Sequence, residues 1–442
     1  MMINKQKIDA GAFMEELREI IMASRGLILF KELSELPALR RLTQLLEGIA
    51  ENSWSPAQTA EGYSGFLNAF LSSIPTHAPG EYSWKDWVID AVLHTENRFT
   101  LWAETRKGYI PRAMTAAAEN DLPSIQKLAN IPWQDLADLL EGEIKGFRPV
   151  NIFHCRQTPN WQEVCARRGL AGWNVNALID YYSLKGSGLF SRYRGFYWDG
   201  TALKGIKNTD PITMDRLVGY DIQKRIILDN TEKFISGYSA NNVLLYGDKG
   251  TGKSSMVKAL IHRYWDRGLR IIELPKIHLD DYYSILRHIE DRMFRFILFI
   301  DDLSFEEHEV EYKHIKALLE GGLKVRPSNL LVYATSNRRH LVREVVADRS
   351  STGYQYNDRN EISPTDSMQE KLSLADRFGI TLTFISPNQR GYLEMVESMA
   401  EERGIDIGRE ALHAEALRWE KRYNGRSGRT AKQFIDHLEG GL

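Results

Sequence analysis

Cysteine is almost absent from this chain: only Cys155 and Cys165 occur among 442 residues. Two thiols cannot form the dense disulfide framework of a small secreted domain, and they have no partners at the spacing of a metal site. We therefore expect a reducing compartment, the cytoplasm, and we expect both thiols to be buried and inert.

Long apolar runs and an excess of either charge are also missing. No run approaches the roughly 18 apolar residues of a membrane-spanning helix, and acidic residues interrupt the N-terminal stretch, which argues against a signal peptide. The 57 Lys and Arg residues nearly balance 59 Asp and Glu residues, for a formal net charge of -2. This balance leaves no large field of one sign for nonspecific binding to nucleic acid or membranes.

What remains is the composition of an ordinary globular protein, with 43% hydrophobic residues and a length that suggests about three domains. Residues 1–203 carry apolar side chains at helical spacing and predict an all-helical N-terminal domain. Gly, Asp and Pro interrupt this pattern after Gly186, and we place a boundary near Lys204. Residues 387–442 return to a helical pattern.

Residues 204–386 contain short apolar runs separated by helical stretches. The runs are NVLLY, LRIIEL, FRFILFI, NLLVYAT and ITLTF. Continuous apolar strands are covered on both faces, so they predict a parallel sheet wrapped by helices.

A phosphate-binding motif follows the first of these strands directly. Residues 247–254 fit G-x-x-x-x-G-K-[ST], the P-loop pattern, in which backbone N–H groups and a helix N-terminus surround phosphate oxygens. We expect Lys253 to reach the terminal phosphates and Ser254 to bind magnesium. The complete set expected to contact nucleotide in this loop is Gly247, Asp248, Lys249, Gly250, Thr251, Gly252, Lys253, Ser254 and Ser255.

A second apolar strand, residues 296–300, ends in Asp301 and Asp302, which is the form of a Walker B strand. Ligands of open α/β sheets bind at the carboxyl ends of the strands. Asp301 is thus expected to hold magnesium, and Asp302 to polarise the attacking water. By itself, an apolar run followed by two aspartates more often marks a strand and a turn.

With both motifs in order, the stretch resembles the core of an AAA+ ATPase. LVGYDIQK, LLYGDKGTGKSS, LFIDDLSFE, YATSNRRHL and EKLSLADRFGI further resemble one bacterial AAA+ family described only as a domain of unknown function, over roughly residues 210–440. The resemblance implies an α/β P-loop core, a C-terminal helical lid, and hydrolysis of ATP with Mg²⁺ shared between neighbouring subunits.

The same resemblance implies several residue roles. Asn337, after the strand at 329–334, matches the sensor-1 amide, which can orient water beside a γ-phosphate without adding charge. Arg377 matches the arginine finger and Arg429 the sensor-2 arginine of the lid. Leu217, Val218, Gly219 and Tyr220 resemble the segment that lines the adenine. Each also has an ordinary structural interpretation, as a helix cap, a paired arginine or a turn.

Two departures from the AAA+ pattern qualify these expectations. Asp302 stands where many members have glutamate, and the shorter side chain predicts slow turnover. Residues 275–281 read PKIHLDD instead of an aromatic, apolar and glycine pore loop, which disfavours a threading unfoldase. Arg349 and Arg359 are weaker candidates for the finger.

Two hypotheses about function follow. The first is an oligomeric ATPase that remodels or loads an unknown protein partner bound by the N-terminal helices; the second is a nucleotide-gated scaffold with slow turnover. A small-molecule P-loop kinase is disfavoured by Asn337, Arg377 and the lid. Residues 151–200 interleave basic and aromatic side chains, a pattern that can bind single-stranded nucleic acid. More often, such aromatic residues form the core of a connecting element and the arginines lie on its solvent-exposed face. No membrane partner is expected.

Overall fold

The computed structural model describes residues 10–75, 82–105, 109–150, 152–153, 160–304, 312–320, 326–337, 377–423 and 425–441. The chain forms two compact units that divide between Arg192 and Tyr193. The predicted fold class is confirmed: a helical N-terminal region precedes a parallel sheet with helices, and helices follow it at the C-terminus.

The first unit is helical throughout its described residues. Capping boxes at Ser55, Ser83 and Asn160 begin three of its helices, because side-chain oxygens there accept N–H groups that the helix leaves unpaired. Its helices are α1 (Ala10–Arg25), α2 (Glu32–Glu35), α3 (Pro37–Ala50), α4 (Pro56–Ser73), α5 (Trp84–Leu93), α6 (Arg98–Thr105), α7 (Arg112–Ala129), α8 (Trp133–Glu143), α9 (Trp161–Arg167), α10 (Val175–Lys185) and α11 (Gly188–Arg192).

The core of this unit combines aliphatic helix faces with an aromatic cluster. Trp84 lies fully inside, stacked on Trp87 with ring centroids 4.7 Å apart. Its indole N–H donates to the carbonyl of Leu128 at 2.8 Å. Cys165 is also buried, and burial raises the pKa of its thiol to about 11, consistent with an inert side chain. Cys155 lies outside the described residues.

A buried carboxylate ties the start of this unit to α7. Asp121 accepts the backbone N–H groups of Ile28, Leu29 and Phe30 at 2.8 to 3.1 Å. These donors belong to the loop between α1 and α2, where the N–H groups of residues 28–30 are not part of a helix or a strand. Asp121 therefore satisfies backbone groups that would otherwise be buried without acceptors.

The second unit contains a seven-stranded sheet in the order β2-β1-β4-β5-β6-β3-β7. Its strands are parallel except for the β1–β2 pair. The strands are β1 (Gly195–Trp198), β2 (Leu203–Ile206), β3 (Val243–Gly247), β4 (Leu269–Glu273), β5 (Arg295–Ile300), β6 (Leu330–Ser336) and β7 (Ile380–Phe384).

Helices cover the sheet and then form a small C-terminal cluster. The buried lid core includes Tyr392, Val396, Ala416 and Phe434. The described helices of this unit are α12 (Asp221–Ile235), α13 (Lys253–Tyr264), α14 (Tyr282–Ile289), α15 (Tyr312–Glu320), α16 (Gln389–Glu402), α17 (Arg409–Arg422) and α18 (Gly428–Gly441). Across the described residues, no helix combines the length and apolarity needed to cross a membrane.

The five apolar runs form the five predicted strands, but β1 and β2 were not predicted. Strand β1 pairs with β4, and β2 is the outer edge strand, so the sheet begins before the boundary expected near Lys204. Both strands are only four residues long and contain glycine. A segment that merely connects two domains has the same sequence pattern. They are identified as strands only by pairing, of β1 with β4 and of β2 with β1.

Replacing Asp121 tests the carboxylate in the first unit. We expect Asp121→Ala to lower the free energy of unfolding by about 3 kcal/mol, because buried N–H groups lose their acceptor. Urea unfolding followed by tryptophan fluorescence measures the change. Asp121→Asn, which keeps one acceptor oxygen, should lose less, and Glu16→Ala on the exposed face of α1 should change stability by less than about 0.5 kcal/mol. Equal stability of all three variants would contradict this role.

Candidate nucleotide-binding site

The order of three strands brings the predicted motifs to one edge of the sheet. Strand β6 lies between β3 and β5, as expected for the strand that carries Asn337. All three are parallel, so their carboxyl ends meet at the same edge. The phosphate loop, the aspartate pair and the asparagine therefore converge there.

The loop after β3 has the backbone conformation of a phosphate cradle. Gly247, Gly250 and Gly252 have φ angles of 135°, 78° and 89°, in the region that favours glycine. A Cβ at Gly247 would lie 1.9 Å from the carbonyl oxygen of Phe384, so no larger residue fits there. Helix α13 begins at Lys253 and directs its N-terminal N–H groups toward the loop, where an anion is favoured.

The ammonium of Lys253 lies inside the loop. It donates to the carbonyl oxygens of Gly247 and Asp248 at 2.8 and 2.7 Å, and to Oδ1 of Asn337 at 3.1 Å. Burial lowers the pKa of this lysine, while the carboxylates of Asp248, Asp302 and Asp301 oppose that shift. The negative charge of a bound phosphate group would favour the protonated form of this partly desolvated lysine.

Oxygen atoms suited to magnesium lie beside this lysine. The hydroxyl of Ser254 donates to Oδ1 of Asp301 at 2.6 Å. Magnesium takes oxygen ligands and is usually held by one or two protein groups together with substrate phosphates. Ser254 and Asp301 therefore fit a magnesium ion shared with a bound triphosphate.

Asp302 and Asn337 form the second half of the site. Asp302 is exposed, and its Oδ1 accepts from Nδ2 of Asn337 at 2.6 Å. Because the same amide accepts from Lys253, Asn337 links the phosphate-binding cation to the carboxylate predicted to polarise water. The roles of these two side chains toward water and a γ-phosphate stay predictions.

Sequence reasoning missed the contacts of two further residues, Ser386 and Thr335, that support the site. Asp248 accepts from the backbone N–H and hydroxyl of Ser386 at 2.8 and 2.7 Å, and these bonds lower the pKa of its carboxyl group. Thr335 bonds to the Walker B aspartates. The polar segment ATSN indicated the end of a strand, but only strand pairing shows what Thr335 contacts.

Two predicted residues of the loop differ in their surroundings. Lys249 is exposed, whereas the Thr251 hydroxyl closes the loop through a bond to the carbonyl of Asp248.

The lid contacts the loop through the start of α18. The backbone N–H of Arg429 donates to the carbonyl of Gly250 at 3.2 Å. Ser427 caps the helix through the N–H of Thr430. Cβ of Arg429 would lie 3.1 Å from a Cβ at Gly250, so this residue borders the phosphate loop, and its role as the sensor-2 arginine stays a prediction.

The segment predicted to line adenine lies between the core and the lid. Gly219 and Tyr220 both have positive φ, and a Cβ at Gly219 would lie 3.7 Å from Met395 of the lid. Val218 packs against the lid cluster, and Leu217 approaches Gly252 of the phosphate loop. The hydroxyl of Tyr220 donates to the carbonyl of Ile385 at 2.8 Å. Leu217 is thus the residue of this segment that approaches the loop, while Val218 and Gly219 face the C-terminal helices, and adenine binding here stays a prediction.

Arg377 does not join this arrangement within one subunit. It precedes Ile380, the first residue of β7, whereas Phe384 at the other end of β7 pairs with Gly247. Four residues of strand span roughly 13 Å, so Arg377 lies at the opposite edge of the sheet. The alternative finger residues Arg349 and Arg359 lie outside the described residues, as does Arg156.

The basic and aromatic stretch is divided between the two units. Arg168 bonds to Asp86 and Asp90, and Arg194 lies over the ring of Trp265 at 3.7 Å. Trp161 and Tyr182 are buried. The described part of this stretch is thus mostly core and paired arginine, the structural alternative considered above.

Comparison of the sequence with known families identifies the second unit. Residues 191–442 match the family described as "Protein of unknown function (DUF815)", over more than half of the chain. The chain belongs to the DUF815 family. The match confirms the family resemblance drawn from residues 210–440, and it begins beside the division between the units. The helical first unit lies almost wholly outside the DUF815 match.

Solved structures of RuvB, described as a Holliday junction branch migration motor of Thermotoga maritima, are similar to part of the chain. One shares 18% identity with a TM-score of 0.36, over 52% of this chain and 65% of RuvB. A single-residue RuvB variant gives 18% identity, a TM-score of 0.36, and coverage of 52% and 66%. The chain thus covers less than two thirds of these RuvB chains. No curated protein matches it in sequence.

The contact between the loop and the lid can be tested at Gly250. An alanine Cβ there would lie 2.9 Å from the hydroxyl of Ser427 and 3.1 Å from Cβ of Arg429. We expect Gly250→Ala to separate α18 from the loop and to increase hydrogen exchange of the amides of residues 427–431. Gly404→Ala is a matched control, because Gly404 also has positive φ but has open space around it. Both should lose about 1 kcal/mol of stability. Equal exchange in the two variants would exclude the contact.

Proposed function

We propose that this protein is a magnesium-dependent ATPase that acts as an oligomer on a partner bound by its N-terminal helical unit. The observation that carries the proposal is the connection of Lys253, Asn337 and Asp302 by hydrogen bonds of 3.1 and 2.6 Å. It links a phosphate-binding cation to a carboxylate at the edge where parallel sheets bind ligands.

In this proposal, the loop and the start of α13 bind the triphosphate through backbone N–H groups. Lys253 donates to its terminal phosphates, and Arg429 adds a second cation from the lid. Ser254 and Asp301 would hold magnesium, which would supply positive charge to neutralise the triphosphate. Val218 and Gly219 contact the base.

Asp302 and Asn337 act on the nucleophile. Asp302 accepts a proton as a water oxygen bonds to the γ-phosphorus and the bond to the β-bridging oxygen breaks, leaving ADP and phosphate. Asn337 orients this water and the γ-phosphate through its amide. Because aspartate is shorter than glutamate, we expect its turnover to be slow.

Arg377 is proposed to complete the site of a neighbouring subunit. Its position at the amino edge of β7 keeps it from the phosphate loop of its own chain, so in this proposal a second copy presents that edge to the loop. A guanidinium there would stabilise charge on the transferred phosphoryl group. This requirement supports a homo-oligomer.

The partner is proposed to be a protein that contacts the first unit. That unit has its own core and lies almost wholly outside the family match, so it is the part able to differ between family members. Nucleic acid is a weaker alternative, because the arginines at 168 and 194 are engaged within the protein. Cysteine usage supports the cytoplasm as the compartment.

A second candidate function is a nucleotide-gated scaffold. The observation in its favour is that Asn337 already occupies one oxygen of the short Asp302 carboxylate. If that bond persists with nucleotide bound, water is poorly activated. Binding could still shift the lid without rapid turnover.

Lys253→Ala tests nucleotide binding. We expect its affinity for ATP with magnesium to fall by roughly 10- to 100-fold, since a charged contact to phosphate is lost. Fluorescence titration with an ATP analogue measures the change. Lys258→Ala, farther along the same helix, should bind normally. Equal affinities would exclude the phosphate site.

Arg377→Ala tests the shared site. Wild-type hydrolysis per subunit should rise with protein concentration as oligomers form, and the variant should be slower by up to roughly 10³-fold while binding ATP normally. Light scattering in the same buffer records the oligomer.

Mixing Arg377→Ala with Lys253→Ala should restore activity, because a mixed oligomer can place Arg377 of one variant beside the unchanged Lys253 of the other. Arg390→Ala on the exposed face of α16 is the control. No restoration would exclude action between subunits, and ATP binding without turnover at any concentration would favour the scaffold.

A further inference from the structure

We infer that Thr335 is a positioning residue that orients both Walker B carboxylates through one hydroxyl. The inference rests on the proposed ATPase function and adds a residue to that site. It is carried by the pairing of β5 with β6 and by hydrogen bonds around the side chain.

Strand register places Thr335 between the two halves of the site. Ile300 pairs with Ala334, so Asp301 follows directly beside Thr335. On its other side, Thr335 pairs with Leu245 of the strand that leads into the phosphate loop. Its side chain is only 2% exposed, so water does not substitute readily for its hydroxyl.

The Thr335 hydroxyl both donates and accepts. It donates to Oδ1 of Asp301 at 2.5 Å and accepts the backbone N–H of Asp302 at 2.9 Å. A hydroxyl has one proton and two lone pairs, so both bonds can form together. The same oxygen of Asp301 accepts from Ser254. Thr335 thereby holds the carboxylate that is proposed to bind magnesium.

The second bond stabilises an unusual backbone conformation at Asp302. Its φ is 52°, in the left-handed region that residues other than glycine rarely adopt. In this conformation its carboxylate meets Nδ2 of Asn337 at 2.6 Å. Without the Thr335 hydroxyl, the N–H of Asp302 keeps only a 3.2 Å bond to Asp301. The direction of the Asp302 carboxylate therefore depends on Thr335.

Thr335→Val and Thr335→Ser test this role. Valine fills the same space without a hydroxyl, whereas serine keeps the hydroxyl. We expect Thr335→Val to lower kcat by roughly 10- to 100-fold with KM within about threefold, the pattern of a lost transition-state interaction. Thr335→Ser should remain within about threefold of wild type. A valine variant that hydrolyses ATP normally would overturn the inference.

Two further variants separate positioning from folding. Thr231→Val removes another buried hydroxyl, one that bonds to Tyr333 away from the aspartates, and it should leave kcat unchanged. If Thr335 acts through Asp302, adding Thr335→Val to Asp302→Asn should cause little further loss of kcat. Independent, multiplicative losses would contradict action through Asp302.

Metal binding gives a readout that does not need turnover. Mn²⁺ titrated with ATP and followed by electron paramagnetic resonance should bind several-fold more weakly to Thr335→Val, while ATP without metal binds equally well. If wild type shows no turnover but this metal effect is present, the ATPase proposal fails and the orientation of Asp301 by Thr335 stands. If wild type hydrolyses ATP and Thr335→Val matches it in both rate and metal affinity, only the Thr335 inference fails.

Discussion

The hydrogen bond from Ser254 to Asp301 joins the phosphate loop to the aspartate pair that follows β5. Ser254 lies at the start of α13 after β3, while Asp301 directly follows β5, and β6 separates these strands. The bond can form only because parallel strands in this order end at one edge of the sheet. The proposed phosphate binding, metal binding and water activation all depend on that edge.

The lid is connected to the same edge by short polar contacts. Arg429 donates its backbone N–H to Gly250, and Asp248 bonds to Ser386 just before the lid begins. The phosphate loop therefore contacts residues at the starts of the segments that lead into α16 and α18. This coupling suits either a motor or a nucleotide-gated scaffold, because both require the lid to respond to nucleotide.

Much of the second unit was predictable from local sequence. The runs at Val243 and Arg295 are nearly continuous apolar segments, and such segments form buried strands wherever helices cover both faces. Gly247 and Lys253 were predictable because a phosphate loop needs particular backbone freedom and charge at fixed spacing. Strands β1 and β2 were not, because Gly195 to Ile206 carries no long apolar run, and its strands are recognised only from the pairing of β1 with β4 and of β2 with β1.

By itself, the sequence determined the phosphate loop, the carboxylate-tipped strand and the helical character of both ends, because each depends on residue types a few positions apart. Only the tertiary structure decided that Thr335 lies beside Asp301, that Asn337 bonds to both Lys253 and Asp302, and that Arg377 lies at the opposite edge from its own loop. These relations follow from strand order and register, which bring together residues far apart in the chain and leave no local pattern in it.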